Sequence, residues 1–370
     1  MRRNFLIKKI AILVCFLPLI SGAQHNDAKH DIHSSETHEE SESSLRDNIK
    51  AFIGHHLQDT HDFGLFSYQD EHGKEIHVGA PLPVILFDSE SGLNVFSSSK
   101  FHHGEDIAEN NGSYFKLDHG KVYKTDVNGT ITYDKHHHAT NSKPYDFSIT
   151  KNVAFIFIVG LLLFLVFTKM AKNYKKSVLP TGVGRVLEPL ILYVRDEIAI
   201  PNIGKKHYNR YMSYLLTVFF FVWLVNLIGL TPLGINVTNN IAVTLSLALI
   251  TYLLTTFTAN KNYWKHIFWM PGVPTPMKFL LAPIELLGTI IKPFSLMIRL
   301  YANITAGHIV LMSIIGMMFI FKNWIGSPLS FGLAFALSLL ELLVAALQAY
   351  IFTMLSALYF GSAVEEHDDH

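Results

Sequence analysis

Five long apolar runs after residue 150 constrain the fold of this chain more than any other feature of its sequence. About 20 consecutive, mostly apolar residues are needed for a helix to cross the ~30 Å hydrocarbon core of a bilayer. Because the bilayer core offers no water to the backbone, runs of this kind fold as helices. The runs are Val153–Thr168, Tyr211–Leu230, Ile241–Thr258, Pro283–Met317 and Leu329–Phe360. They predict an all-α polytopic membrane domain over residues 151–370, with five transmembrane helices.

The Lys residues between these runs predict how the chain is oriented, because cytoplasmic loops are enriched in Lys and Arg. The loop residues 231–240, between the second and third runs, contain neither Lys nor Arg. The lysines that follow the first run and those that separate the third run from the fourth are Lys169, Lys172, Lys175, Lys176, Lys261, Lys265 and Lys278. We therefore expect the amino-terminal part of the chain outside and the carboxy-terminus in the cytoplasm.

Two further features refine this membrane architecture. Residues Pro180–Gly204 mix charged and apolar side chains, which is typical of an amphipathic helix on the membrane interface. The last two runs are unusually long, and a long apolar helix fits a bilayer by tilting. The sequence thus predicts an interfacial helix after the first span and a long tilted hairpin at the end.

The first 150 residues divide into three predicted segments. Residues 1–23 have a basic start, an apolar core and the small residues Ser21, Gly22 and Ala23, the pattern of a signal peptide. Residues 24–61 are polar and rich in His, which predicts a disordered segment. Residues 62–150 contain short strand-like runs separated by turn signals such as Asn111-Gly112. They predict a small extramembrane, β-rich domain.

Histidines are concentrated in this extramembrane part, where 15 of the 20 His residues lie. Imidazole is the commonest protein metal ligand, so a divalent metal-ion transporter with a His-rich extramembrane domain is one alternative for the whole chain. Neighbouring histidines on a strand point to opposite faces, however, and a solvated, buffering surface explains the same composition. The single cysteine, Cys15, excludes an internal disulfide and a Cys-based zinc site. We predict no metal site and no cofactor.

Charge and motif content exclude other classes of function. Lys plus Arg and Asp plus Glu both number 30, so net charge does not point to a nucleic-acid partner. The phosphate-binding pattern G-x-x-x-x-G-K-[ST] is missing from the sequence, so the chain is not expected to bind ATP or to be an enzyme by itself. An intramembrane hydrolase would need a nucleophile or a metal set within the spans, and we find none there.

The fourth run carries ionisable side chains that are costly inside a bilayer. Lys292 and Glu285 can reach the headgroups with their long side chains, but Arg299 is flanked by long apolar stretches and needs a functional reason. At 100° per residue, Glu285 and Lys292 fall within about 40° of Arg299, and Asn303 lies one turn further on. His308 points to the opposite side, roughly 13–14 Å along the axis.

The fifth run carries a second polar pair. Glu341 and Gln348 are seven residues apart and share one face of the helix. A buried Glu needs a partner, and we expect His308 to supply it across the hairpin. Gln348 either hydrogen-bonds between helices or takes part in a channel. Secondary candidates, for the outer entrance, are Asn226, Asn239 and Asn240.

The motif R-L-x-x-N-x-x-A-G-H at residues 299–308, preceded by P-I-E-L and a K-P step, closely resembles subunit a of the rotary F-type ATP synthase. The stretch E-L-L-V-A-A-L-Q-A-Y-I-F-T-M-L of the last run extends the resemblance, which covers the chain after about residue 150. It implies the stator half of a proton channel in a bacterial inner membrane, with the amino-terminal domain periplasmic. The implied partners are the ring of c subunits, the b-subunit peripheral stalk, the remaining ATP synthase subunits and the lipid bilayer.

The resemblance also implies roles for the ionisable side chains. Arg299 would attract the ionised carboxylates of the c subunits and separate two half-channels. Protons would pass from outside to the ring and leave to the cytoplasm, and this flow would drive ring rotation and ATP synthesis. The residues implied in proton transfer are Arg299, His308, Glu341, Asn303, Gln348 and Glu285, with Lys292 as a secondary candidate. Some members of the family carry the acid and the His in the reverse order.

Overall fold

The structure, a computed structural model, describes residues 59–69, 75–104, 106–118, 120–135, 139–175, 182–231, 235–270, 273–320 and 326–365. The predicted signal peptide, residues 24–58 of the predicted His-rich segment and the histidines at 136–138 lie outside the described residues.

Within the residues that the structure describes, eight antiparallel strands lie in the amino-terminal region, which confirms that this region contains β-structure. Three sheets have the strand orders β1-β2, β4-β3-β8 and β5-β6-β7. The strands are β1 Asp62–Gln69, β2 Glu75–Pro81, β3 Pro83–Asp88, β4 Gly92–Ser97, β5 Ile107–Asn110, β6 Ser113–Asp118, β7 Lys121–Thr125 and β8 Tyr145–Asp146, with a 3₁₀ helix at Ser98–Gly104. Asn111 and Gly112 both have positive φ, at 49° and 74°, as a tight hairpin turn between β5 and β6 requires.

The core of this region follows from alternation along the strands. Side chains on a strand point to opposite faces in turn, and in β3 those of Val84 and Leu86 are fully buried. Three phenylalanines close the core: the ring of Phe96 lies 5.5 Å from that of Phe101 and 6.1 Å from that of Phe115. The stacked and edge-on geometries are those that aromatic pairs prefer.

Backbone hydrogen bonds join the β-region to the first membrane helix, α1, Lys151–Tyr174. The amides of Phe147 and Ile149 donate to the carbonyls of Ile85 and Pro83, at 2.9 and 3.1 Å. The amide of Lys151 donates to the carbonyl of Thr60 at 2.9 Å. The chain therefore passes from the sheet into the helix without a loose linker.

Eight α-helices follow in the described residues, and five of them are long and apolar enough to cross a membrane. The five are α1, α4, α5, α7 and α8, which confirms a helical membrane domain. The remaining bounds are α2 Gly184–Tyr193, α3 Ile200–Ile203, α4 Tyr208–Gly229, α5 Ile241–Thr258, α6 Lys261–Phe268, α7 Thr275–Ile320 and α8 Gly326–Val364, with a π-helical segment at Val194–Ala199 and a 3₁₀ turn at Val237–Asn239.

The last two helices are much longer than a bilayer core is thick. At 1.5 Å per residue, the 46 residues of α7 extend about 69 Å and the 39 residues of α8 about 58 Å. Helix α7 continues through Pro283 and Pro293, each of which removes one backbone donor from it. The predicted run Pro283–Met317 thus lies within a longer helix.

Helix α8 packs along α4 and against the short helix α3. The rings of Tyr211 and Phe360 stack with centroids 4.5 Å apart. Gly361 lies directly on the backbone of α3: a Cβ placed there would be 1.9 Å from the carbonyl oxygen of Asn202. A residue without a side chain is what permits this close approach.

Candidate functional site

His308 and Glu341 meet in the packed interface between α7 and α8. Both residues are 5% exposed, and Nδ1 of His308 lies 3.7 Å from Oε1 of Glu341. Gly307 leaves room for the carboxylate, since a Cβ there would be 3.4 Å from Oε1. The structure therefore brings together the two side chains that the sequence paired across the hairpin. The distance is longer than a direct hydrogen bond, which favours a contact completed by water or by a small movement.

A small cavity lies beside this pair. Its polar lining comes from Asn226, Asn236, His308 and Glu341, and it offers about 10 Å³ to the centre of a water molecule, room for about one. Oε2 of Glu341 and Nδ2 of Asn226 are buried and make no hydrogen bond to any residue in the described ranges. Buried polar atoms are rarely left without a partner, so this is a place where water is expected to bind.

Residues 235–240 carry two of the predicted asparagines, and we call them the outer segment because the loop charges predict that they face outside; Asn236 of this segment lines the cavity. Thr238 Oγ1 donates to Oδ1 of Asn226 at 2.9 Å, and Thr305 Oγ1 donates to Oδ1 of Asn239 at 2.5 Å. Asn240 caps helix α5 by accepting a hydrogen bond from the amide of Ala242 at 2.9 Å. These contacts fix the outer segment to α4, α5 and α7.

Arg299 and Asn303 lie on a different side of α7 from His308. Arg299 is half-buried, whereas the side chains of Ile298 and Asn303 are exposed. Nine residues separate Arg299 from His308, a distance of about 13.5 Å along the helix. Gln348 is buried, two turns beyond Glu341 on α8. The helix therefore turns a cation and an amide toward an open surface and an imidazole toward α8.

Lys292 borders a second small cavity, toward the other end of α7. The lysine Nζ lies 5.5 Å from the centre of the Tyr359 ring, within the range of a cation–π contact. Other polar residues of the lining are Thr251, Tyr252, Thr255, Tyr263 and Thr289. The side chain of Glu285 is half-buried, and it interacts electrostatically with Lys292 and Tyr263.

Several polar residues of the two cavities were not singled out from the sequence. Asn236 sits in a loop, and Tyr252, Tyr263 and Thr289 look like ordinary members of apolar helices. Of these residues, Thr289 could have been identified from the sequence, because it lies one turn before Lys292 on the same helix. Asp59, described below, falls in the segment predicted to be disordered.

Metal ligands do not cluster in the described part of the chain: no group of three or more His, Cys, Asp or Glu residues there is placed to hold an ion. The pair His308 and Glu341 thus stands in an apolar interface with amides and hydroxyls as neighbours. Such a set can accept and donate protons, since an imidazole ring and a carboxyl group each offer both a proton-binding and a proton-releasing form.

Comparison with known proteins identifies the family to which this chain is similar. The family described as ATP synthase A chain matches residues 153–361, and a domain of unknown function matches residues 52–147. An ATP synthase subunit a of Chloroherpeton thalassium is 41% identical over 61% of this chain and 69% of its own length. An ATP synthase subunit a of Myxococcus xanthus is 42% identical over 61% of this chain and 77% of its own length. These matches confirm the resemblance found in the motif at residues 299–308. The chain belongs to the ATP synthase A chain family.

Proposed function

We propose that this chain is the proton-channel stator subunit of a rotary F-type ATP synthase, in which two half-channels against a ring of c subunits let proton flow drive ring rotation and ATP synthesis. The observation that carries the proposal is the buried His308–Glu341 pair, held between α7 and α8 beside a small polar cavity. The same helix presents Arg299 on another side. ATP chemistry belongs to other subunits of the complex.

The outer half-channel leads to the His308–Glu341 pair. Asn226 and Asn236 line the cavity beside the pair, and we assign them to the outer end of this half-channel. Asn303 and Gln348 lie closer to Arg299 along their helices and pass the proton on toward the ring. Each transfer spans one or two helical turns, about 5–11 Å, which side-chain rotation together with more than one bridging water molecule can cover.

Arg299 acts on the ring. Its guanidinium is always charged, and its half-buried position beside the exposed face of α7 leaves it within reach of a carboxylate on a neighbouring subunit. An ionised carboxylate cannot face lipid cheaply, whereas a protonated one can. Arg299 therefore attracts carboxylates that have released their proton and separates the two half-channels.

The inner half-channel starts at the second cavity. Lys292, Tyr252 and Tyr263 line it, and Glu285 lies one to two turns further toward the start of α7. Hydroxyl groups, an ammonium group and a carboxylate form a polar route in otherwise apolar helices. We assign the release of protons to the cytoplasm to this route.

The topology follows from the loop charges. The extramembrane region lies on the outer side of a bacterial inner membrane, in the periplasm, and the end of α8 lies in the cytoplasm. The segment formed by α2, the π-helical turns and α3 lies on the cytoplasmic interface, near the b-subunit peripheral stalk. The hairpin of α7 and α8 is tilted, as their lengths of about 69 and 58 Å favour.

The test is Arg299→Ala in the complete complex, in inverted membrane vesicles. We expect loss of both ATP synthesis driven by a proton gradient and ATP-driven proton pumping, with normal amounts of assembled complex. Arg210→Ala, at an exposed position at the start of α4, is the matched control and should couple normally. Unchanged coupling in Arg299→Ala would overturn the proposed function.

A further inference from the structure

The outer segment, residues 235–240, is held from three directions. Thr238 ties it to Asn226 on α4, and Asn239 accepts a hydrogen bond from Thr305 on α7. The third tie comes from Asn240, whose Nδ2 donates to Oδ2 of Asp59 at 3.2 Å. Asp59 lies 181 positions earlier in the chain. It also lies outside residues 153–361, which match the ATP synthase A chain family.

The Asp59 carboxylate accepts hydrogen bonds from more than one part of the chain. Its Oδ2 also accepts from Oγ1 of Thr150 at 2.9 Å, and its Oδ1 accepts from the amide of Asn152 at 3.2 Å. The carboxylate therefore binds the start of α1, where the positive end of the helix dipole favours an anion. Lys151, the first residue of α1, adds an electrostatic attraction to Asp59. One side chain thus joins the extramembrane region, α1 and the outer segment.

The path from Asp59 to the candidate site is short. Asn240 directly follows Asn239, whose side chain binds Thr305, and Thr305 precedes His308 by one turn of α7. Asn236, at the other end of the outer segment, lines the cavity that His308 and Glu341 share. A shift of the outer segment would therefore change the shape of that cavity directly.

We propose that Asp59 is a positioning residue of the outer half-channel, and that the extramembrane region supplies it to hold the outer segment against α4 and α7. This inference rests on the proposed function, because it assigns proton access to the cavity beside His308. Asp59 does not itself carry protons. Its part is to keep Asn236 where it lines the cavity, while Thr238 and Asn239 bind the segment to α4 and α7.

The polarity of the bond between Asp59 and Asn240 allows a selective test. In Asp59→Asn, an amide oxygen can still accept from the Asn152 amide, but an NH₂ group then faces the NH₂ group of Asn240. In Asn240→Asp, two carboxylates face each other, while the cap on α5 is kept because Asp and Asn cap equally well. In the double variant, the new amide donates to the new carboxylate, and the tie is restored with its direction reversed.

The experiment measures passive proton conduction through the membrane sector of the full complex in vesicles, normalised to assembled complex. We expect each single variant to lower conduction by roughly threefold to tenfold, the range that the loss of one hydrogen bond of ordinary net strength can produce. The double variant should recover most of the wild-type rate. Asp106→Asn is the control and should conduct normally, because the Asp106 carboxylate is exposed and lies 2.6 Å from Nδ1 of His102 in the same region.

Hydrogen exchange of residues 235–241 in the same preparations gives a second readout. We expect faster exchange in both single variants and protection in the double variant. Wild-type conduction in both single variants, or a double variant no better than the worse single variant, would overturn the inference. Arg299→Ala serves as a separate arm: retained coupling there would overturn the proposed function, whatever the Asp59 series shows.

Discussion

Glu341 is the side chain whose chemistry the proposed mechanism uses most directly. It is 5% exposed, and Nδ1 of His308 lies 3.7 Å from its Oε1. Gln has the same shape but cannot take up or release a proton. The variant Glu341→Gln therefore separates packing from proton transfer at this position.

We expect Glu341→Gln to assemble normally and to lower passive proton conduction at least roughly tenfold, since positioned acid–base groups commonly contribute a hundredfold or more. Conduction is measured in vesicles and normalised to assembled complex. Glu365→Gln, at an exposed position just past the end of α8, should leave conduction unchanged. Wild-type conduction in Glu341→Gln would exclude a transfer role for this carboxylate.

Asp88 makes the extramembrane region sensitive to acid. The hydrogen bond from Lys124, at 2.7 Å, outweighs the cost of burial and, with Ser91, lowers the pKa of Asp88 from 3.8 to about 2. Because the folded pKa lies below the unfolded one, this carboxylate stabilises the fold above about pH 4. Its contribution is lost as the pH falls from about 5 toward 2.

Asp88→Asn should therefore lower the free energy of unfolding of the extramembrane region by about 2 kcal/mol at pH 7, and the difference from wild type should shrink toward pH 2. Pulse proteolysis of the reconstituted protein in urea, with thermolysin at pH 7 and pepsin at pH 3, measures both. Glu90→Gln is the control, because Glu90 binds the same Lys124 but its side chain is 84% exposed. A difference that grows in acid would contradict the assignment.

Helix α8 contains glycines in two contrasting environments. A Cβ on Gly361 would be 1.9 Å from the carbonyl oxygen of Asn202, whereas a Cβ on Gly332 would meet nothing within 4 Å. The first glycine fixes how closely α8 approaches α3, and the second does not limit packing. The same substitution at both positions therefore has opposite expected effects.

We expect Gly361→Ala to destabilise the membrane domain by about 1–3 kcal/mol or more, because backbone atoms must move to admit the methyl group. Gly332→Ala should be neutral or stabilising by up to about 1 kcal/mol, the gain in helix propensity. Thermal unfolding of the purified protein in detergent measures both changes. Equal melting temperatures for the two variants would show that α8 and α3 are less tightly packed than described.

The membrane helices were the part of the fold most accessible from sequence, and the reason is physical. A bilayer forces apolar runs into helices, so Ile241–Thr258 was predicted with the same bounds that α5 has in the structure. The ends of α7 were harder to predict, because proline is a poor guide to where a membrane helix stops. The π-helical segment Val194–Ala199 has no sequence signature that we can name.

The candidate site was predictable only in part. Charges inside apolar runs are conspicuous, which is how Arg299, His308 and Glu341 were found. Hydroxyl residues such as Thr251 and Thr255 are common in membrane helices and here bind their own backbone, so their presence at a cavity is not evident from sequence. The tie between Asp59 and Asn240 depends on a contact across 181 positions, which no local pattern encodes.

The orientation of the protein as a whole is open to a direct test. The chain has a single cysteine, so Cys15→Ser gives a cysteine-free background. Asn128 and Lys265 are both exposed, the first in the extramembrane region and the second in α6. By the proposed topology, these two positions lie on opposite sides of the membrane.

We expect Asn128→Cys to react with a membrane-impermeant maleimide in spheroplasts and Lys265→Cys to react only in inverted vesicles. The physical reason is the excess of lysine in the loop that contains α6, which holds that loop in the cytoplasm. Labelling with the opposite sidedness would reverse the assignment of the outer and inner half-channels.

The tie between Asp59 and the outer segment also has a consequence for biogenesis. By the proposed topology, the mouth of the channel would be complete only after the region containing Asp59 has crossed the membrane and bound α1 and Asn240. In a newly inserted chain whose outer region is still unfolded, the outer segment beside the proton inlet would lack its hydrogen bond to Asp59. Folding on the far side of the membrane would then precede efficient proton flow, and a freshly made subunit would be protected from leaking protons before its complex is ready.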